Sequence, residues 1–473
     1  MLLRRFYYDG LAQASYMIGC HATREAVVID PHRDAQLYVR AAEEEGMLIR
    51  YVSETHIHAD YLSGSLQLAR RTGAQLLLSG EGDETWQYRF AEGEGATLLH
   101  EGDVIGLGKI RLEVLHTPGH TPEHLSFLIT DGATSVHPMG VITGDFVFVG
   151  DVGRPDLLET AAGLSGTMEA SARDLFRSLQ KLRELPGHLQ ILPGHGAGSA
   201  CGKSLGAVPT STLGYELLVN WAFKSETESD FVRKVLEDQP EPPAYFAKMK
   251  ELNRDGPPVL DRFPAPQRLD AANVASVLDG EGVVVDVRPA TDFAEGHFPR
   301  TLSIPLGPDF PGLCGTLLPY DRPVFFVARD QRDAVDAARD LAFIGLDDVG
   351  GFFDPAALVD WAASRGPLQA MVEVGWEDTQ RARTEEGAVL VDVRGSADWR
   401  SGHVPGARHA YLGTLQLGVG ELPRDRPIIL YCQAGKRSAV AASLLQATGF
   451  EDVRSVRGGM SALAAAGLPI VSE

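Results

Sequence analysis

The second half of the chain repeats itself, and this repeat limits what the chain can fold into. Two short motifs recur 106 residues later, at 283–288 with 389–394 and at 296–299 with 402–405. A longer segment, 328–349, aligns without gaps to 432–453. Each copy alternates short apolar strands with helical segments, a pattern typical of small parallel α/β domains. We therefore expect two copies of one such domain after a separate N-terminal part.

Length and proline content predict where the domains end. At 473 residues the chain is too long for one hydrophobic core, and domains of about 100 to 200 residues predict roughly three of them. Seven prolines between 237 and 268 interrupt regular structure and predict a linker. The predicted domains are residues 1–245, a linker at 246–267, a first repeat domain at 268–368 and a second at 369–473.

Composition excludes several classes of partner. With 64 acidic and 43 basic residues the net charge is −21, which argues against nucleic acid and anionic membranes. No apolar run reaches the roughly 18 residues of a membrane span, and the N-terminus lacks the apolar core of a signal peptide. The four cysteines form no C-x-x-C pair, so any cysteine chemistry would be that of single thiols. We expect a cytoplasmic protein.

In the N-terminal domain, side chains that bind metals follow four predicted strands. They are His56, His120, Asp145 and His195. The ends of strands in a rigid sheet bring distant residues to one edge, so we expect these side chains to form a metal site. His56, His120 and Asp145 would leave three octahedral positions open, the arrangement that suits non-haem Fe(II) and O2.

The residue Tyr61 favours one metal ion over two. It stands where the H-x-H-x-D-H signature of two-metal hydrolases places its last histidine. Its phenol, with a pKa of about 10, does not replace a neutral imidazole. We therefore predict a single Fe(II), with zinc as the alternative. His58, Asp60 and His195 would then surround the ligands and orient them without binding the metal, or would become ligands themselves if zinc is bound.

Four motifs of the N-terminal domain resemble the metallo-β-lactamase superfamily, and specifically its persulfide dioxygenase branch. They lie at 55–60, 116–121, 143–145 and 150–157. The resemblance implies an αββα sandwich with one Fe(II) at His56, His120 and Asp145. Glyoxalase II, a related enzyme, and many persulfide dioxygenases have a histidine at the position of Tyr61, so the chain departs from both there.

Further residues are candidates for binding substrate or sulfur. Arg154 could bind a carboxylate or sulfonate-like product through its planar guanidinium, or could clamp Asp156. Tyr61 could donate a hydrogen bond to a ligand or substrate. Cys201 is either a buried inert thiol or a persulfide carrier, and its neighbour Lys203 would favour the thiolate. The resembled family has a cysteine in the same segment, which favours the carrier.

The second repeat contains a thiol at the start of a helix. Cys432 follows the apolar segment 428–431 and precedes a helix predicted near 438. The helix N-terminus, together with Lys436 and Arg437, favours a nucleophilic thiolate. Four residues separate Cys432 from Arg437, a ring that matches one sulfur atom, and the loop resembles rhodanese. In the first copy Ala328 replaces the cysteine, so we expect no sulfur transfer there.

The whole chain resembles a fusion of persulfide dioxygenase with a silent and an active rhodanese-like domain, α/β throughout. This implies oxidation of a small thiol persulfide by O2 to sulfite, which Cys432 would convert to thiosulfate. A glyoxalase II-type zinc hydrolase fused to a sulfurtransferase, or a non-catalytic persulfide carrier, are the alternatives. The family implies a homodimer or homotetramer. Glutathione, coenzyme A and bacillithiol all stay open as the thiol.

Overall fold

The chain folds into two compact units. The computed structural model describes residues 1–157, 166–467 and 469–472. Unit 1 comprises Met1–Asp261 with Phe343–Gly345, and unit 2 comprises Arg262–Ala342 with Leu346–Glu473. Within the described ranges, every helix is too short or too polar to cross a lipid bilayer.

Among the described residues, unit 1 has two six-stranded sheets of mixed direction, with the orders β1-β2-β3-β4-β5-β6 and β12-β11-β10-β9-β8-β7. The strands of the first sheet are β1 (Leu2–Tyr8), β2 (Gln13–Cys20), β3 (Glu25–Ile29), β4 (Leu48–Ser53), β5 (Gln75–Ser79) and β6 (Thr97–Leu99). Those of the second sheet are β7 (Val104–Leu107), β8 (Ile110–His116), β9 (Leu125–Asp131), β10 (Gly140–Gly144), β11 (Gln190–Pro193) and β12 (Ser211–Thr212).

The two sheets of unit 1 pack face to face, with helices on their outer sides. Successive side chains of a strand point to opposite faces of its sheet. Tyr16 and Ile18 of β2 therefore lie in the core between the sheets, whereas Met17 lies in the core under the outer helices. On the second sheet Ile142 faces inward, and Val141 packs with the helix Met168–Arg183. This arrangement confirms the predicted αββα sandwich.

One helix of unit 1 corrects the prediction of an irregular linker. In the described part of this unit the α-helices are Ala35–Glu44, Ser65–Thr72, Met168–Arg183, Leu213–Val219, Trp221–Lys224, Glu228–Leu236 and Phe246–Asp255. The last lies inside the proline-rich stretch, but the prolines flank it and none interrupts its ten residues. Phe246 and Met249 are buried in unit 1. The prolines thus limit this helix rather than prevent it.

In its described residues, unit 2 has two parallel sheets with the orders β14-β13-β15-β16 and β17-β21-β20-β18-β19. The first contains β13 (Val283–Asp286), β14 (Leu302–Ser303), β15 (Val324–Val327) and β16 (Val349–Phe353). The second contains β17 (Val372–Val374), β18 (Val389–Asp392), β19 (Arg408–His409), β20 (Ile428–Tyr431) and β21 (Val453–Val456). The second sheet repeats the order of the first and adds β17 at its edge.

The repeat in sequence is also a repeat in structure. In the first copy Arg288 forms an ion pair with Asp286 and donates to the carbonyl oxygen of residue 296. In the second copy Arg394 makes the same two contacts, with Asp392 and residue 402. Over the described residues of unit 2 the α-helices are Ala272–Asp279, Ala290–Glu295, Phe310–Leu317, Gln331–Ala342, Pro355–Ser364, Trp376–Arg381, Ser396–Ser401, Leu415–Gly418, Lys436–Ala447 and Gly459–Ala465. The domain boundaries within unit 2 stay a prediction.

Candidate functional site

The residues predicted to bind metal meet at one edge of the sandwich in unit 1. Each follows the end of a strand: β4 precedes His56, β8 precedes His120, β10 precedes Asp145 and β11 precedes His195. All four side chains are buried, with exposed fractions of 0 to 2%. The strand ends thus bring residues that lie up to 139 positions apart in the sequence into one site.

His56, His120 and Asp145 form a compact set of ligand atoms. One ligand atom from each lies within 4.8 Å of the others. The Nε2 atoms of His56 and His120 lie 3.9 Å and 3.6 Å from Oδ2 of Asp145. Two atoms that each lie about 2.1 Å from a shared ion are at most about 4.2 Å apart. The carboxylate–imidazole distances therefore fit a single metal ion.

Hydrogen bonds at the other ring nitrogens direct Nε2 of these histidines toward the centre. Nδ1 of His120 lies 3.0 Å from the carbonyl oxygen of Arg154, to which it donates. Nδ1 of His56 lies 2.9 Å from Oγ1 of Thr55, whose own proton goes to Asp30. A proton on Nδ1 leaves a lone pair on Nε2, the form that binds a metal.

The carboxylate of Asp145 shows that this centre suits a cation. It is fully buried, and among the described residues neither of its oxygens accepts a hydrogen bond. An ionised carboxylate without a donor or counter-ion is strongly unfavourable in a protein interior. A metal ion held by Asp145, His56 and His120 would satisfy both oxygens. The structure thus contains a metal-binding His/Asp site.

A second group of possible ligands lies beside the first. Asp60, His195 and Cys201 have ligand atoms within 4.8 Å of one another, and all three are buried. Nε2 of His195 lies 3.2 Å from Asp60 Oδ2 and 3.4 Å from Asp145 Oδ1. Asp145 therefore lies between the two groups, one oxygen toward each.

His58 and Tyr61 lie behind the first group. Nε2 of His58 is 3.1 Å from Oδ1 of Asp30. Burial opposes a charge on His58, but the Asp30 carboxylate raises the pKa of this imidazole to about 9. The Tyr61 hydroxyl donates to the backbone oxygen of Asp30 at 3.3 Å, and its ring lies 4.4 Å from that of His58. The Tyr61 hydroxyl thus makes a hydrogen bond within the protein. This geometry gives no support to the hydrogen bond to a ligand or substrate that the sequence suggested.

Asp30 is a residue of the candidate site that the sequence did not reveal. Its carboxylate accepts hydrogen bonds from the backbone and hydroxyl of Thr55 at 2.6 Å and 2.9 Å, in addition to its contact with His58. Its backbone is left-handed, with φ of 53°, which is uncommon outside glycine. An aspartate directly after the apolar strand β3 was the available signal, of the same kind that identified Asp145.

The guanidinium of Arg154 is occupied by protein groups. It forms a bidentate ion pair with Asp156 at 2.8 Å and 2.6 Å. It also donates to the carbonyl oxygens of Pro240 and Ala200 at 2.7 Å and 3.3 Å. Of the two interpretations from sequence, the structure therefore supports the clamp on Asp156 rather than product binding. The backbone oxygen of Arg154, and not its side chain, contacts the centre through His120.

Lys203 does not activate Cys201 as the sequence predicted. Its ammonium donates to the backbone oxygens of Lys234 and Glu237. Burial, followed by the negative charges of Asp60 and Asp145, raises the pKa of the Cys201 thiol well above its ordinary value. The error arose because nearness in sequence does not give the direction of a long side chain. Cys201 nevertheless lies beside the metal site, as a carrier would require.

Glu123 braces the loop between His56 and His58. Its Oε1 accepts from the backbone N–H of Ile57 at 2.8 Å, and burial raises the pKa of Glu123 to about 7. A carboxyl whose ordinary pKa is 4.5 therefore keeps its proton longer in the folded chain. In the unfolded chain the same carboxyl loses its proton near pH 4.5, which favours unfolding. The fold therefore loses stability progressively as the pH rises from 4.5 to about 7.

Replacing Glu123 by glutamine should remove this dependence on pH, because the amide keeps an acceptor for Ile57 and stays neutral. We expect the free energy of unfolding of Glu123→Gln, relative to the parent, to rise by up to about 3 kcal/mol between pH 4.5 and pH 7. Urea denaturation of the metal-free protein measures it. The exposed control Glu84→Gln should show no such change, and a constant difference for Glu123→Gln would refute the assignment.

In unit 2, Cys432 lies between β20 and the helix Lys436–Ala447. Its side chain is 1% exposed, and the backbone N–H of Gly435 donates to Sγ at 3.2 Å. Gly435 has φ of +94°, and a Cβ there would lie 3.1 Å from the backbone nitrogen of Gly458. Glycine therefore permits the tight turn that directs an N–H group to the sulfur.

The charged residues of this loop differ in their surroundings. The Arg437 guanidinium lies 3.6 Å from the Asp398 carboxylate, and Lys436 is exposed.

In the first copy, Ala328 stands at the position of Cys432. It is buried after β15, and the next residue, Arg329, pairs with Asp333 at 2.7 Å. Within the described residues all four cysteines are free thiols. The first copy thus lacks a nucleophile in its loop.

Comparison with known protein families matches two parts of the chain. Residues 8–195 match the metallo-beta-lactamase superfamily, and residues 376–466 match the rhodanese-like domain. The first match contains the whole His/Asp centre, and the second contains Cys432. The family match thus covers the second copy. The first copy has the same order of parallel strands, and a second rhodanese-like domain stays a prediction.

Individual relatives include both oxygenases and hydrolases. The mitochondrial persulfide dioxygenase ETHE1 of Mus musculus is 31% identical over 202 residues, 41% of this chain and 68% of that protein. The hydroxyacylglutathione hydrolase of Rhodospirillum rubrum is 29% identical over 181 residues, 38% of this chain and 60% of that protein.

A solved structure extends the similarity beyond unit 1. It is a metallo-beta-lactamase from Staphylococcus aureus subsp. aureus COL, 42% identical, with a TM-score of 0.68. The match covers 75% of this chain and 99% of that one. With the αββα fold, the His/Asp centre and the cysteine loop, these similarities show that the chain belongs to the metallo-beta-lactamase superfamily, as a relative of the persulfide dioxygenases fused to a C-terminal rhodanese-like domain.

Proposed function

We propose that the chain oxidises a small thiol persulfide with O2 at a mononuclear Fe(II) in unit 1, and that Cys432 then transfers sulfur to the sulfite product. The observation that carries the proposal is the set His56, His120 and Asp145, two imidazoles and one buried carboxylate without hydrogen-bond donors. Such a set is typical of Fe(II) sites that use O2. The similarity to ETHE1 supports the same activity.

When bound, Fe(II) would supply redox-active coordination positions for O2 and for the persulfide sulfur. His56, His120 and Asp145 would hold it, and the hydrogen bonds at the Nδ1 atoms orient both imidazoles. Burial of the ligands keeps bulk water from the centre, which limits hydrolysis of a reactive sulfur species. Cys201 belongs to the ligand group beside this centre, and its thiol would take the outer sulfur of a persulfide with release of the free thiol.

The overall oxidation balances with one water: RSSH + O2 + H2O gives RSH, sulfite and two protons. In the second step the Cys432 thiolate attacks the outer sulfur of another persulfide and releases its thiol. Sulfite then takes this sulfur from Cys432, which forms thiosulfate and restores the thiolate. Lys436 and Arg437 would attract both anions, and the Gly435 N–H would stabilise the sulfur anion. A fusion keeps sulfite near the residue that consumes it.

A second candidate function rests on the group Asp60, His195 and Cys201. With Asp145 between the two groups, a second ion such as zinc would give a two-metal hydrolase. The similarity to a hydroxyacylglutathione hydrolase favours the same alternative. Tyr61, which is buried with its hydroxyl bonded to the Asp30 backbone, supplies no imidazole to this second group, and this favours the mononuclear proposal.

Oxygen consumption separates the two candidates. The full chain would be stripped of metal, loaded with Fe(II) or Zn(II) without air, and given glutathione persulfide in an oxygen electrode, with coenzyme A and bacillithiol persulfides as further arms. We expect uptake of O2 and formation of sulfite or thiosulfate with iron only. Absence of uptake with all three persulfides, or hydrolysis of a glutathione thioester by the zinc form, would overturn the proposal. The cytoplasmic location and the dimeric or tetrameric state stay predictions.

A further inference from the structure

His124 is a buried histidine that connects two of the metal ligands without being one of them. Its side chain is fully buried beside the centre. The imidazole stacks on that of His56, with ring centroids 5.0 Å apart and an interplanar angle of 27°. On its Nε2 it accepts a hydrogen bond from the backbone N–H of Asp145 at 3.1 Å. One side chain thus contacts the ring of one ligand and the backbone of another.

The hydrogen bonds of His124 define its tautomer. Because the Asp145 N–H donates to Nε2, the proton of the neutral ring lies on Nδ1. Nδ1 is 2.9 Å from Oγ1 of Thr117, which can therefore accept that proton and donate onward to Ser126 at 2.9 Å. Nδ1 therefore donates and Nε2 accepts. Together these two hydrogen bonds fix the orientation of the ring.

The backbone around His124 and Asp145 is built for this contact. Gly144 has φ of +47°, and a Cβ there would lie 2.7 Å from Nε2 of His124. Glycine is thus what lets the Asp145 N–H reach the ring. On the other side, the backbone N–H of Leu125 donates to the carbonyl oxygen of Thr55 at 2.7 Å, which ties β9 to the residue before His56.

We propose that His124 is a positioning residue that sets the relative geometry of His56 and Asp145 at the metal centre, an inference that rests on the metal site of the proposed function. Its ring limits rotation of His56, and its Nε2 holds the turn from which the Asp145 carboxylate projects. Groups that orient metal ligands in this way typically change metal affinity about 10- to 100-fold when they are replaced.

Two variants of the full chain separate the two contacts, with Co(II) as the probe. His124→Phe keeps an aromatic ring against His56 and loses both hydrogen bonds, whereas His124→Gln keeps an amide oxygen for the Asp145 N–H and loses the ring. We expect each to bind Co(II) about 10- to 100-fold more weakly than the parent and to shift its visible ligand-field bands. The exposed control His188→Gln should bind Co(II) as the parent does.

A purely structural role for His124 would lower the melting temperature of the metal-free protein and leave the Co(II) bands unchanged. That result, or unchanged affinity and spectrum in the two variants, would overturn the proposal. If His124→Phe fails to fold, the affinity and spectrum of His124→Gln decide. The readout needs no O2 uptake, so a parent protein that binds Co(II) but consumes no oxygen with Fe(II) would refute the proposed function and leave this test intact.

Discussion

Replacing Asp145 by asparagine is expected to remove iron from the centre and lower persulfide-dependent O2 uptake by about a thousandfold. Asp145 supplies the only carboxylate of the first ligand group, and a bound metal contributes several kcal/mol to catalysis at such sites. Asparagine has nearly the same shape, so the fold should remain. Iron content and oxygen-electrode rates of the full-length variant measure the effect.

Asp145→Asn should also change the stability of the metal-free protein, because it replaces a buried carboxylate by a neutral amide. Without metal, the parent buries a carboxylate whose oxygens lack donors among the described residues, and the amide removes that charge. Metal-free Asp145→Asn should therefore be at least as stable to urea as the metal-free parent. The exposed control His188→Asn should retain iron and activity. A variant that keeps parental iron affinity and O2 uptake would contradict the assignment of Asp145 as a ligand.

Replacing Cys432 by serine is expected to abolish sulfur transfer and leave O2 uptake intact. The hydroxyl is a far weaker nucleophile than the thiolate, and removing a covalent nucleophile lowers the rate more than about a thousandfold. The product should then change from thiosulfate to sulfite. Chromatography of the sulfur anions, with O2 uptake recorded in the same reaction, measures both steps.

Cys314→Ala is the matched control, because Cys314 is also a buried thiol of unit 2 but lies in the helix Phe310–Leu317, outside the loop. It should leave the ratio of thiosulfate to sulfite unchanged. If Cys432→Ser still forms thiosulfate at the parental rate, sulfur transfer at Cys432 is refuted. Loss of O2 uptake in the same variant would instead place Cys432 in the oxidation step.

The sequence was sufficient to find side chains whose role depends on a local pattern. His56, His120 and Asp145 each follow a strand end, so their positions predicted that they would meet at one edge of the sandwich. Cys432 was found because it precedes a helix. The αββα sandwich and the duplicated parallel sheets were likewise predictable from the resemblance and from the internal repeat. In these cases the local pattern and the tertiary structure agree.

The supporting residues could not be predicted in the same way, because their partners are distant in the sequence. Asp30 lies 28 residues before His58, and Glu123 lies 66 residues after Ile57. The sequence also does not give the direction of a side chain, so the prediction that Lys203 favours the Cys201 thiolate was wrong. The helix Phe246–Asp255 was missed because flanking prolines dominated the composition of its segment.

The most direct test of the account is a titration of metal-free protein with Fe(II), in which persulfide-dependent O2 uptake is measured at each ratio of metal to chain. A centre formed by His56, His120 and Asp145 predicts that uptake saturates at one iron per chain. Saturation only at two metals per chain, or full activity as a thioester hydrolase with zinc and no O2 uptake with iron, would contradict a mononuclear oxygen-using site.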